Sequence, residues 1–164
     1  MLPEGSYDFG YIDSSKYTGD IVYTAAFADA QGHRLFNATV NGKSMNAIAD
    51  TGTSVAVIPL SAATAYWKQV RGAQRVDQQG QHLWLYSCST KLPDYSITVG
   101  SSKVTIPGSF IRYAQNGAGS PYCVGGIAAI DGYDSLAILG DIFLKPNFVV
   151  FDDANSRIGF AKGA

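Results

Sequence analysis

Apolar and polar residues alternate with a period of two through most of this 164-residue chain, and that pattern limits the folds open to it more than any other. Successive side chains of a strand point to opposite faces, so such alternation marks strands with one buried face. It predicts strands over Asp20–Phe27, Ser54–Pro59, His82–Ser87, Asp94–Gly100 and Lys103–Gly108. The stretch "ITVGSSKVTI" reads as a hairpin turning at Gly100–Ser102, and "FVVFDDANSRIGFAK" as a C-terminal hairpin turning near Asp153–Ser156. One segment breaks the pattern. "AATAYWKQVR" (Ala62–Arg71) is rich in helix formers, with Ser61 placed to cap it and Gly72 to end it. "GDIFLKP" (Gly140–Pro146) adds a single helical turn. Many short strands with one or two short helices predict an all-β barrel or sandwich. No repeat, low-complexity tract or linker divides the sequence, so residues 1–164 read as one domain.

Composition removes several function classes. Hydrophobic residues make up 46% and charged residues 15%, a balance that buries a core rather than leaving the chain disordered. The net charge is −1 and no basic run occurs, which argues against a nucleic-acid partner. The longest apolar runs, such as "FVVF" at 148–151, are too short to span a membrane as helices. High Gly and Tyr, 18 and 10, with only 12 Lys plus Arg, suit an extracellular β protein. No secretory leader follows Met1, which reads either as a trimmed chain with an added Met or as a cytosolic one. Cys88 and Cys123 are either two buried thiols or one disulfide. A disulfide closing a loop of that length stabilises by roughly 3–4 kcal/mol and implies an oxidising compartment. "NAT" at Asn37–Thr39 is a glycosylation sequon, a triplet common by chance.

Elimination then narrows the chemistry. His33 and His82 are the two histidines, neither in ligand spacing, so no metal or other cofactor is expected. No G-x-S-x-G elbow and no Gly-rich phosphate loop is present. Neither cysteine has an evident His partner. What remains is Asp50, between the core-like strands "NAIA" and "SVAVI". Gly52 lets backbone N–H groups approach its carboxylate, and Thr53 can donate a hydroxyl to it. The plainer reading is an Asp that organises a turn through its own backbone.

The extended string "IADTGTSVAVIP" resembles the active-site signature of pepsin-like aspartic proteases, and "AILGD" (Ala137–Asp141) resembles the apolar–apolar–Gly element beneath that loop. "YDFGYIDSSKYTGDIVYTAAF", "AYWKQV", "GSFIRY", "CVGGI" and "NFVVFD" are similar, in the same order, to the C-terminal lobe of secreted fungal members. The resemblance covers nearly the whole chain. It implies a single lobe of the pepsin-like acid protease fold, with the N-terminal lobe absent, and an extracellular location. It makes Asp50 one of two aspartates that share a proton and a water, the ionised one activating the water and the protonated one donating to the peptide carbonyl. It assigns Thr53 and Gly52 to holding the two Asp50 oxygens, Thr51 to a reciprocal grip on the other lobe, and Ser54 to further support. Ile48 and Ile138 fall near a primed-side substrate pocket, where a core role is equally compatible. Asp141 takes a structural role, and Asp8, Asp13 and Asp20 turn or surface roles. Cys88 and Cys123 fall where the lobe carries its disulfide.

Two departures matter. The family has two D-T-G loops and this chain has one. The segment between Gln31 and Asp50 is shorter than in fungal relatives, so the primed-side wall is trimmed or rebuilt. The expected function is therefore one half of an acid-pH endopeptidase, with a peptide or protein substrate, inactive until an N-terminal lobe is supplied. The alternatives are an inert fragment or peptide- or inhibitor-binding module, and a homodimer that pairs Asp50 of two copies across a two-fold axis.

Overall fold

The computed structural model describes residues 5–164; the leader reading rests on residues 1–4 and lies outside them. Among the described residues the fold is mostly β, with fourteen strands in one mixed sheet and a few short helices, in accord with the expected class. Local chemistry sets the hairpins. Strands β2 (Arg34–Val40) and β3 (Lys43–Ala49) are joined by Asn41 and Gly42, both at positive φ, 48° and 80°. That is the backbone a two-residue turn needs to match strand twist, and Asn-Gly adopts it at least cost. Gln79 and Gly80, at 50° and 76°, make the same kind of turn between β5 (Gln74–Gln78) and β6 (Gln81–Ser87). The hairpin of β7 (Tyr95–Val99) and β8 (Ser102–Ile106) turns where the alternation predicts, and the short α2 (Gly108–Ile111) and β9 (Arg112–Gln115) follow it; the C-terminal hairpin of β13 (Asn147–Asp152) and β14 (Arg157–Gly163) also turns where expected. The remaining long strand, β1 (Tyr17–Ala28), pairs with β14 and then with β2.

Three sequence expectations are corrected. Ser61 does not cap the helix: α1 spans Leu60–Trp67 and Pro59 is its N-cap residue. Proline's fixed φ leads into a helix without a side-chain cap. The helix also stops before Gly72. Its C-terminus tightens into i→i+3 bonds, from Gln69 N–H to Tyr66 O and from Val70 N–H to Trp67 O, and Gly72 follows at φ 77°. Finally, the strand expected over Ser54–Pro59 is the two-residue β4, Ala56–Val57, because the carbonyls of Ser54 and Val55 are used elsewhere.

Those carbonyls hold the feature that positions the site. β12 (Leu136–Leu139) lies between β3 and β4, parallel to β3 with Ile138 opposite Ile48, and antiparallel to β4 with Ile138 opposite Val57. The chain leaves β12 through Gly140 and enters the single turn α3 (Asp141–Leu144). There the N–H groups of Gly140, Asp141 and Ile142 donate to the carbonyls of Val55, Thr53 and Ser54 at 3.2, 2.7 and 3.3 Å. A Cβ at position 140 would sit 2.1 Å from Thr53 O and 2.5 Å from Val55 O, so only glycine allows this contact.

The core packs α1 against the sheet. Ala62, Ala63, Tyr66 and Trp67 are buried, Trp67 Nε1 donates to Ile127 O at 2.8 Å, and its ring stacks on Trp84 with centroids 6.1 Å apart. Burial of such a ring contributes its area, and the indole N–H keeps its partner. Cys88 and Cys123 form one disulfide, tying the end of β6 to β10 (Tyr122–Gly125) beside the Tyr122–Ser87 pair. The two-thiol reading is thereby set aside.

Candidate active site

Asp50 follows β3, whose Met45 and Ala47 enter the core while Ile48 faces the other way. Its N–H donates to Leu139 O at 3.0 Å, so β12 holds the residue at the moment the chain turns. The side chain is half-buried and both oxygens are engaged. Gly52 N–H donates to Oδ1 at 2.8 Å, and Thr53 Oγ1 donates to Oδ2 at 2.6 Å. The first is the self-made turn of the plainer reading; the second is a separate bond. The two readings of this Asp thus describe one arrangement, in which the turn itself orients the carboxylate. Two donors, one to each oxygen, fix the direction of the carboxylate. A Cβ on Gly52 would stand 3.2 Å from Oδ1, close enough to push the oxygen aside.

The other sequence-derived positions fall into three groups. Thr51, Gly52 and Ser54 are exposed at the tip of the loop, with Thr53 half-buried beneath them. Ile48 and Ile138 are paired and half-buried on the sheet face opposite Ala47 and Ala137. Beside the loop lies a largely apolar groove of about 180 Å³, lined by Thr53, Val55, Val57, Ile138, and residues of β6 and β11 (Ile127–Ile130). Ile138 lines it and Ile48 does not. Asp141 opens α3, and its N–H grips Thr53 O, so its main chain supports the loop.

The remaining acids lie elsewhere. Asp8 binds Lys16 Nζ at 2.6 Å, Asp13 accepts from Ser15 N–H at 2.9 Å at the start of the short helix Ser14–Lys16, and Asp20 is exposed on β1. Asn37 is exposed on β2 opposite Asn46. Among the described residues no group of three or more His, Cys, Asp or Glu converges as metal ligands would, and no helix is long and apolar enough to cross a membrane.

Sequence reasoning passed over one polar cluster. His82 is buried between Asp77 and Asp131, its ring nitrogens 2.8 and 2.9 Å from their carboxylates. The signal was present in part. Asp77 and His82 flank the Gln79–Gly80 turn and so face each other once that turn is recognised as a hairpin. Asp131, far along the chain, could not be placed.

The sequence pattern of the eukaryotic aspartyl proteases matches residues 2–163. Among curated proteins the chain is 40% identical over 167 residues to aspergillopepsin-1 of Aspergillus fumigatus, covering 98% of this chain and 42% of that protein. It is 42% identical over 166 residues to penicillopepsin-1 of Penicillium janthinellum, covering 98% and 50%. Aspergillopepsin-1 of Aspergillus oryzae is 43% identical over 170 residues, covering 98% and 41%. The chain thus spans half or less of the length of these relatives. A D-T-G loop with its carboxylate held by Gly52 and Thr53, a Gly140 element crossing beneath it, and a match over nearly every residue agree: the chain belongs to the eukaryotic aspartyl protease family.

Proposed function

We propose that this chain supplies one of the two aspartates of an acid-pH endopeptidase, and that Asp50 is that residue. The observation that carries the reading is the carboxylate held at both oxygens, one of them by Thr53, which also lines the apolar groove beside the loop. Its two oxygens are pinned by donors from the same loop, and the loop is pinned from beneath by Gly140 and Asp141. A carboxylate held this rigidly is suited to share a proton with a second one and to orient a water toward a peptide carbonyl. The pair titrates as a unit, so neither role belongs to Asp50 alone. In this reading the chain is the C-terminal lobe. Gly52 and Thr53 position Asp50, Thr51 reaches the loop of the other lobe, and Ser54 supports the turn from outside. Ile138 contacts the substrate side chain, with Ile48 behind it.

The second aspartate comes from a partner lobe. Individually exposed aromatic side chains are available for such a lobe to cover: Tyr7, Phe9, Tyr11 and Phe151 are 73, 86, 63 and 55% accessible. The disulfide and the fungal relatives support an extracellular location.

The test is a peptidase assay at acid pH on the purified chain, alone and with the complementary half of a fungal relative, beside sedimentation of each sample. The expected result is no cleavage by the monomer, cleavage on complementation, and its loss in Asp50→Asn. Cleavage by a pure monomer would refute the need for a partner. Cleavage by a self-associated dimer would replace the partner lobe with a second copy. Activity that survives Asp50→Asn would refute the assignment of the residue.

A further inference from the structure

His82 presents both ring nitrogens to carboxylates, Nδ1 at 2.8 Å from Asp77 Oδ1 and Nε2 at 2.9 Å from Asp131 Oδ1. A neutral imidazole carries one N–H and one lone pair, so it can donate to only one of the two and must turn its lone pair on the other. The imidazolium donates to both. The placement of the three residues gives that difference a mechanical meaning. In the sheet, Asp77 of β5 stands directly opposite His82 on one edge of β6, and Ala129 of β11 stands opposite it on the other. Asp131 follows β11 and donates its N–H to Gly80 O in the β5–β6 turn. The histidine therefore joins two edges of its own strand.

We propose that His82 is a proton-operated latch: in its charged form it ties β5 and the Asp131 turn to β6 and so fixes the wall of the groove beside the Asp50 loop, and loss of the proton frees that wall. Gln81 and Leu83, either side of His82, line the groove, as does Ile130, next to Asp131. The groups facing the ring are Asp77 and Asp131, with Arg75 behind them, its Nε 2.9 Å from the Asp77 oxygen that His82 uses. With the ring charged, these charges cancel. With the ring neutral, Arg75 still pairs with Asp77, Asp131 loses the positive charge beside it, and one of the two carboxylates faces a lone pair. The inference goes beyond the proposed hydrolysis, because it holds whether or not the chain is ever completed as an enzyme.

The direction of the titrations agrees with the geometry. The bonds to Asp77 and then Asp131 raise His82 above its ordinary 6.5, against the opposing effect of burial. The bond from His82 is the largest influence holding Asp77 below its ordinary 3.8. A raised histidine contributes stability that is complete below 6.5 and lost as pH climbs through the folded value. A depressed carboxylate contributes stability that is complete above 3.8 and lost as pH falls through its folded value. The latch is therefore fully closed between 3.8 and 6.5.

The experiment is a pH titration of the two histidine rings by NMR, assigned with His33→Gln, alongside amide hydrogen exchange at Leu83 and at Asp131, whose N–H donates to Gly80 O. The expected His82 midpoint lies above 6.5. In Asp131→Asn, whose side chain is largely exposed and so leaves the core intact, the midpoint moves down. Protection at Leu83 and Asp131 drops through the same midpoint in the unmodified chain, beyond the ordinary rise of exchange with pH. A wild-type midpoint at or below 6.5, an unchanged midpoint in Asp131→Asn, or protection that is flat across the titration overturns the proposal.

Discussion

Replacing Gly140 by alanine tests the support beneath the Asp50 loop without touching the carboxylate. The added Cβ would meet Thr53 O at 2.1 Å and Val55 O at 2.5 Å. Both are main-chain oxygens, so no rotamer change relieves the clash. Either α3 backs away or the loop does, and the three N–H bonds from Gly140, Asp141 and Ile142 are stretched or lost. Forcing a methyl into a packed site costs about 1–3 kcal/mol, and each of the three neutral hydrogen bonds contributes about 0.5–1.5 kcal/mol, so the expected loss is about 2.5–7.5 kcal/mol. Against the total stability of about 5–15 kcal/mol typical of such a domain, that is a large fraction. The assay is urea unfolding with parallel thermal scans. The urea midpoint should fall with the slope unchanged, and the melting temperature should drop by roughly 5–30 °C. Gly5→Ala is the control, because nothing lies within 4 Å of its Cβ, and its stability should stay within about 0.5 kcal/mol of the parent. If Gly140→Ala unfolds within about 1 kcal/mol of the unmodified chain, the account of the loop as gripped from beneath is wrong.

Three further outcomes are expected. Thr53→Val removes the hydroxyl 2.6 Å from Asp50 Oδ2 and should destabilise by about 1.5–3 kcal/mol at neutral pH, while Thr53→Ser should restore most of it, both read from urea unfolding. Opening the Cys88–Cys123 loop, 35 positions apart, by a double serine substitution should lose about 4 kcal/mol on loop-entropy grounds, checked the same way under non-reducing conditions. Asn37 should carry an N-linked glycan when the chain passes through a eukaryotic secretory pathway, seen as a mass loss on enzymatic deglycosylation that Asn37→Gln abolishes. Its exposed position in the middle of β2, opposite Asn46, leaves room for the sugar.

The sequence made visible what depends on neighbouring residues. The alternation in "HLWLYS" and "ITVGSSKVTI" appears as β6 and the β7–β8 hairpin, because one face of each strand enters the core and the other does not. Other parts were hidden for identifiable reasons. The Asn41–Gly42 turn was a strong hairpin signal, yet the strands it joins mix Asn, Lys and Ser with small residues, which blurs their alternation. β10, β11 and β12 are four residues each and apolar nearly throughout, so they carry almost no period-two signal. The end of α1 followed local 3₁₀ tightening rather than the glycine downstream. At the site, the D-T-G string identified the acid, and its turn bonds are local. The grip of Gly140 and the reach of Asp131 to His82 are pairings between distant segments, and no window of sequence contains both ends.

The crossing of β12 between β3 and β4 also governs when the loop can come into being. During synthesis Asp50 emerges long before the residues that hold it, since Leu139 and Gly140 follow only about ninety residues later, which at common elongation rates of about 5–20 residues per second is several seconds. Through that interval the D-T-G segment has its own turn bonds but no floor. The parallel pairing with β3 must also wait for a long loop to close, which makes it a late and slow event in folding. Mutations at Gly140 should then speed unfolding far more than they slow refolding, because the contact belongs to the last part of the structure to form.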